Sequence, residues 1–334
     1  MEYLKSVMFQ AFLATVALTS LSFVDCFHFV TIGDWGGASV NEQHAKNAYA
    51  VANQMGVQAE GASFVINVGD NHYYAGVTAV DDPLWTTNFE AVYTSPNLYI
   101  PWFSVLGNHD YGINPQAQVD YHSPAGDRWQ MPARYFTQRF EVGVRDNGKM
   151  KHATFVFLDT SPCVSSYRGD DPDGYTPPPS KAPEFHNNIM KESCDEQFTW
   201  LEGVLASLAT TNEWVIVVGH HPIDAVDVHD FEGLLQSSVM SLYLTGHVHH
   251  LEAWTYDGHP HQLHVLSGAG CMVEVLEGTN ATLGSSKTSQ YKGDIAGFTG
   301  HTFTDDLTMI KTKFFDVNGN VLYSVKTENK NTKD

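Results

Sequence analysis

FHFVTIGDWG, residues 27–36, sets a pattern that the rest of the chain repeats. Its first six residues are mostly aromatic or β-branched, too short for a helix and apolar enough for a buried strand. The run meets Gly33, where the backbone can leave a sheet sharply, and then delivers Asp34. The same design returns in SFVINV (63–68) before Gly69-Asp70 and in WFSVL (102–106) before Gly107-Asn108. It returns again in WVIVV (214–218) before Gly219-His220 and in SLYLT (241–245) before Gly246-His247. Side chains at the carboxyl ends of neighbouring strands converge on one crevice. Asp, Asp, Asn, His and His brought to one edge describe a metal site.

Between these runs lie helical stretches. Residues 41–55 (NEQHAKNAYAVANQM) end before Gly56, and residues 195–208 (DEQFTWLEGVLASL) carry apolar residues at helical spacing. From Leu251 onward the chain is strand-rich: LEAWTY, HQLHVLSG, GFTGHTFT, LTMIKTKFFD and VLYSVKTE. Asn318-Gly319 forms a hairpin turn between the last two. Alternating strands and helices followed by strands predict an α/β (α+β) fold of two packed mixed sheets with helices outside. No linker, charge block or internal repeat divides residues 27–330, which read as a single domain.

Composition excludes other classes. Of 334 residues, 43% are hydrophobic and 17% charged, which supplies a sizeable core and excludes a disordered chain. With 18 Lys and Arg against 38 Asp and Glu the net charge is −20, wrong for nucleic acid and for an anionic membrane surface. If phosphate is handled, metal rather than Lys and Arg must supply the positive charge. The 17 histidines agree with that.

The blocks GDWG (33–36), GDNHYY (69–74), GNHD (107–110), GHHP (219–222) and GHVHH (246–250), in this order, resemble the purple acid phosphatases of the calcineurin-like metallophosphatase superfamily. VLSGAG (265–270) and the NGNVLYS tail are similar to the small, tartrate-resistant, mammalian type. The resemblance spans essentially all of the chain after its first 26 residues, and it implies a four-layer sandwich. It also implies that Asp34, Asp70, Tyr73 and His249 hold a ferric ion. Asp70 would bridge to a second divalent ion, Fe(II), Zn(II) or Mn(II), held by Asn108, His220 and His247. Hard carboxylate and phenolate oxygens suit the first ion; imidazole and an amide oxygen suit the second. Protein phosphatases and phosphodiesterases of similar fold carry Asp-x-His in the first block, whereas here Asp34-Trp35-Gly36 has no His and Tyr73 is present.

By the same resemblance, His109 binds no metal but touches the phosphate or the leaving oxygen, as a transition-state stabiliser or general acid. His229, nine residues after His220, matches a second active-site histidine, with a plain surface histidine as the alternative. His72, His221 and His250 depart from the family pattern and add titrating groups near the cleft. His259, His261 and His264 read as structural or solvated.

The implied function is hydrolysis of phosphate monoesters by attack of a metal-bound hydroxide. A phosphodiesterase or phosphoprotein phosphatase on the same fold is the alternative. Phosphorylated small molecules or phosphoproteins would be the substrates, and the protein would act as a monomer. Residues 1–26, with Lys5 before an apolar run at 7–24, predict a cleaved secretory signal, with an uncleaved anchor as the alternative. The signal would send the protein out of the cell or to a lysosomal or vacuolar lumen. Cys163 and Cys194 flank a Pro/Gly/Asp-rich stretch and predict a disulfide, two free thiols remaining the alternative. Asn280-Ala281-Thr282 is a glycosylation acceptor pattern.

Overall fold

Phe29 and Val30 point to opposite faces of strand β1 (His28–Ile32), and the two sides they enter account for most of the architecture. The computed structural model describes residues 26–145, 147–169, 184–274 and 287–331. The predicted signal segment, most of the Pro/Gly/Asp-rich stretch and Asn280 lie outside the described residues.

β1 belongs to the first of two seven-stranded mixed sheets. On one side of it lie β2 (Val65–Asn67), β3 (Trp102–Ser104) and β4 (Trp129–Gln130), each parallel to its neighbour. On the other lie β12 (Gly297–Phe303), β13 (Met309–Asp316) and β14 (Val321–Glu328), all antiparallel. In the second sheet β6 (Met150–Phe157), β7 (Trp214–Val218), β8 (Leu242–Thr245) and β10 (His259–Ser267) are parallel. Antiparallel β5 (Phe136–Val144) closes one end, and β9 (Leu251–Tyr256) with β11 (Lys287–Gly293) the other.

Phe29 enters the layer between the sheets, where Phe64, Ile66 and Val68 meet Phe155, Phe157, Trp214 and Ile216. Val30 enters the outer layer, packed with Val51, Ala52 and Met55 of helix α1 (Glu42–Gln58). The outer face of the second sheet, Val156, Val215 and Val217, is covered by Leu201 and Leu205 of α4 (Cys194–Leu208) and Leu235 of α5 (Phe231–Ser237). The predicted four layers are therefore present. Short helices α2 (Gln116–Val119) and α3 (Phe185–Met190) lie in the connections.

All five predicted runs form strands, β1, β2 and β3 parallel in the first sheet and β7 and β8 parallel in the second, so each set brings its carboxyl ends to one edge of its own sheet. Asn41 caps α1 by accepting the His44 N–H at 2.8 Å. The helix runs on past Gly56, where it had been expected to stop; a Cβ there would strike Ser95, so the glycine serves close packing rather than a helix end. Ser193 caps α4, and Cys163 and Cys194 are joined in a disulfide. The turn at Asn318-Gly319 is held by Asp316, whose carboxylate accepts the amides of Asn318 and Asn320. The β5–β6 hairpin and polar β11 were not foreseen.

Candidate metal centre

The loops that leave the strand ends are tied to one another by their own amides. Gly33 N–H donates to Ser267 O at 2.8 Å and Asp34 N–H to Gly69 O at 3.0 Å. These bonds draw the end of β1 against both β2 and β10. Gly107 is where the β2 and β3 loops touch, since a Cβ there would strike the Asp70 amide and carboxylate. Asp34, Asp70 and His247 have φ of 55°, 53° and 72°. Residues with a Cβ hold that left-handed conformation only at a cost of about 1–3 kcal/mol each, and such outliers concentrate at functional sites.

One oxygen gathers the first group. Tyr73 Oη donates towards Asp34 Oδ1 and Asp70 Oδ2, both at 3.1 Å, and lies 3.1 Å from His249 Nε2. His249 Nε2 is also 3.5 Å from Asp34 Oδ1. The second group gathers on Asn108, whose Oδ1 lies 3.1 Å from His220 Nε2 and 3.0 Å from His247 Nδ1. Asp70 joins the two: Oδ2 faces Tyr73, while Oδ1 lies 3.5 Å from His220 Nε2. All seven residues expected as ligands thus meet in one place, and Asp34, Asp70 and His220 have essentially no exposure.

A further ring of contacts aims these side chains. His220 Nδ1 donates to the Val68 carbonyl at 2.8 Å, which leaves Nε2 to face Asn108 and Asp70. His249 Nδ1 lies 3.2 Å from Glu274 Oε1, which turns its Nε2 inward in the same way. Asp110 holds the loops: its carboxylate accepts amides from Asn71, His72 and Gly107 and the Gln118 side-chain amide. Asn67, Asn71 and Ser104 continue this buried network beneath the site. Asp110 stands in a motif recognisable from sequence, but no sequence signal separates it from the ligands. Glu274 has no sequence signal at all.

The electrostatics favour a cation. Burial holds the Asp34 carboxyl above its ordinary pKa. Asp70 is pushed up by burial too, but His220 and His109 draw it well below the usual range. Burial and the two carboxylates raise the Tyr73 phenol well above 10. Although burial opposes protonation, Asp70 lifts His220 to about 9. Burial and His220 push His247 down to about 3. Among the described residues no Lys or Arg pairs with Asp34 or Asp70. Two buried carboxylates, a buried phenol, an amide oxygen and three imidazoles suit a pair of metal ions, one of hard oxygen-loving character. Above them opens a cavity of about 330 Å³ lined by His44, Tyr74, His109, His249, Met272, Val273 and Glu274.

A profile of the calcineurin-like phosphoesterases matches residues 27–251. The chain belongs to that family. Tartrate-resistant acid phosphatase type 5 of Oryctolagus cuniculus is 32% identical over 253 residues, 72% of each chain. Purple acid phosphatase 4 of Arabidopsis thaliana is 30% identical over 316 residues, 90% of this chain and 83% of the relative. Among solved structures, GAP50, described as the anchor in the inner membrane complex of Plasmodium, superposes with a TM-score of 0.71 at 24% identity. It covers 91% of this chain, with 89% of its own chain included. At that identity the likeness speaks for the fold alone. The phosphatase relatives imply a dinuclear metal centre, and the donor set fits one.

In this phosphoesterase His109 stands at the cluster without belonging to either group. Its amide donates to Asp70 Oδ1 at 2.9 Å, its Nδ1 lies 2.8 Å from the Tyr74 carbonyl, and its Nε2 is 4.0 Å from Asp70 Oδ2. His229 has its partners outside both groups. Its Nε2 pairs with Asp195 at 2.7 Å and its ring stacks on Phe198, none of these a member of the cluster. The cause is local: after a 3-10 turn at Ile223–Ala225, Asp227 and Val228 N–H both bond the Cys163 carbonyl, which swings the segment towards α4.

Burial lowers the pKa of two of the other unusual histidines, His72 and His221, which takes them out of the titrating set expected near the cleft. His72 is buried between Trp35 and Trp85, neither ring nitrogen has a partner among the described residues, and burial depresses it to about 3. It serves as an aromatic ring. His221 packs on His247 with its two nitrogens at Thr160 and Tyr167, and His250 pairs with Glu252. His264 is buried, while His261 faces Glu328 at the surface.

Proposed function

We propose that this protein is a secreted, dinuclear acid phosphatase that hydrolyses phosphate monoesters. The single observation that carries the reading is the convergence of seven donor side chains into two groups that share Asp70. Asp34, Tyr73, His249 and Asp70 would hold a ferric ion, and Asn108, His220, His247 and Asp70 a divalent Fe, Zn or Mn. Such a pair supplies positive charge for the phosphate oxygens and the acidity that makes an attacking water available below neutral pH.

The chain's own residues supply the rest. Tyr74 O accepts from His109 Nδ1, which fixes the ring and turns Nε2 towards Asp70. With a proton on Nε2 as well, His109 would serve as the general acid that protonates the leaving oxygen. His247 takes its place through its backbone, whose N–H donates to Asp34 Oδ2 at 2.9 Å. Burial of Asp34, Asp70 and His220 keeps bulk water out of the polar floor of the site. His229, held by Asp195, is given no part.

Secretion rests on the apolar stretch at 7–24 and on the Cys163–Cys194 disulfide, which suits an oxidising compartment. Residues 27–330 would form one catalytic domain. Among the described residues no helix is long and apolar enough to cross a membrane. The test is turnover of the purified, metal-loaded protein on matched mono- and diesters between pH 4 and pH 8. Monoester hydrolysis with an acidic maximum is expected. Diester preference would favour the phosphodiesterase alternative, and no turnover of either would overturn the enzymatic reading.

A further inference from the structure

The cavity over the metal centre does not stand alone. His44 and Val273 line it and also line a second cavity of about 370 Å³, bounded by Gln43, Asn47, Asp294, Ile295, Ala296 and Val317. His44 and Val273 thus form the rim that the two cavities share. A substrate whose phosphate sits over the metals has this second chamber beside it for its alcohol part. Both volumes fall at the lower end of the range for small-ligand cavities, so the chamber suits a small molecule rather than a folded partner.

Its walls have a definite chemistry. Val273, Ile295, Ala296 and Val317 form an apolar side, Gln43 and Asn47 offer amides, and Asp294 is a carboxylate at the outer end. Asn47 is already anchored, donating to the Cys271 carbonyl at 3.0 Å. Among the described lining residues there is no Lys or Arg. Lys292 Nζ forms a long, partly exposed ion pair with Asp294 Oδ1 at 4.0 Å, which screening keeps weak, and it is not part of the lining. The nearby start of α1 does not reverse the sign. Asn41 already takes the His44 amide, and Glu42 adds a negative charge to the first turn. The chain's charge of −20 acts in the same direction at longer range.

We propose that this chamber is the leaving-group subsite. It accepts a phosphomonoester whose alcohol has a compact apolar body and no second negative charge, with Asp294 favouring a cationic outer end. The proposal rests on the reading of the metal centre as the phosphate site, and it names the substrate class that reading leaves open. Diphosphates, bisphosphates and phosphorylated acids are disfavoured because nothing in the lining neutralises a second anion.

The test compares benzyl, 4-(aminomethyl)benzyl and 4-carboxybenzyl phosphates in the metal-loaded wild type and in Asp294→Lys. Exposed charge pairs are weak, so reversing one charge should lower the aminomethyl-to-benzyl ratio of kcat/KM by about three- to fivefold and raise the carboxy-to-benzyl ratio comparably. Ile295→Asp, at a position more than a third exposed, should lower turnover of benzyl phosphate relative to methyl phosphate. Inhibition by inorganic phosphate, too small to reach the chamber, reports on the metal side alone. Calorimetric binding of 4-(aminomethyl)benzylphosphonate reports on the chamber without turnover. Parallel changes in all three esters, with phosphate inhibition intact, would overturn the subsite and leave the phosphatase reading standing. Phosphonate binding that weakens in Asp294→Lys, in a protein that hydrolyses no ester, would keep the subsite and overturn the phosphatase reading.

Discussion

Both carboxylate oxygens of Asp110 accept the backbone N–H of Asn71, at 3.0 and 3.1 Å. One side chain from the β3 loop thereby fixes the residue that follows Asp70. Burial and the nearby charge of Asp70 raise the Asp110 carboxyl to about 7, so it is held in place despite an unfavourable setting. Asp110→Ala should leave the amides of Asn71, His72 and Gly107 unpaired and let the two loops separate. Metal affinity is expected to fall by about 10–100-fold, the usual effect of removing a group that orients ligands. Competition with a chelator checks this, and unchanged affinity would show that Asp110 merely fills space.

Tyr73 and Asp70 can be told apart by colour and metal content. A phenolate on ferric iron absorbs visible light, so iron-loaded wild type should be violet to pink. Tyr73→Phe should lose the band while retaining much of its metal. Asp70→Ala should disturb both metals, since Asp70 contacts both donor groups. A colourless, iron-replete wild type would refute the role of Tyr73.

His109→Ala should keep both metals and lose about 10²–10⁴-fold in kcat, the range for a general acid–base group. The loss should be smaller for esters with good leaving groups, which need less protonation. Equal losses across leaving groups would point instead to phosphate binding. His229→Ala, by contrast, should alter kcat little, because its partners are Asp195 and Phe198.

Acid stability should depend on buried histidines outside the donor cluster. Burial depresses His264 and His301 to about 3, so both stay neutral in the fold but take up protons when unfolded, at the ordinary value of about 6.5. Their contribution is present above that value and is lost as pH falls from about 6.5 towards 3. Between pH 7 and pH 5 each should remove about 2 kcal/mol of stability. His264→Phe, placed among Tyr243, Trp254 and Tyr256, should lose about 2 kcal/mol less than wild type over that interval, measured by urea unfolding at matched metal content. Equal losses would show that His264 is protonated in the fold.

The strand–Gly–ligand junctions were legible because period, length and the terminating glycine coincide at each. WVIVV reads as a strand buried on both faces, and β7 is buried at every position. Strand β11, KTSQYKG, was not legible, since its pairing to β9 rests on backbone bonds that leave no mark on a polar sequence. Likewise the seven clustered donor positions follow from short motifs, whereas Glu274 reaches His249 through the path of the chain after β10. His229 fits a spacing, yet the Cys163 carbonyl decides where its segment turns.

The left-handed backbone at Asp34, Asp70 and His247 has an evolutionary consequence. At these positions glycine would relax the chain, and at the first two it would also remove a buried negative charge. In the metal-free protein, then, the path of mutation that destroys the site runs downhill in conformational free energy. Against it stand the bonds these carboxylates accept, Asp34 from the His247 N–H and Asp70 from the His109 N–H, together with any ions held there. A descendant released from catalysis would be expected to drift towards glycine there and to keep the sandwich intact.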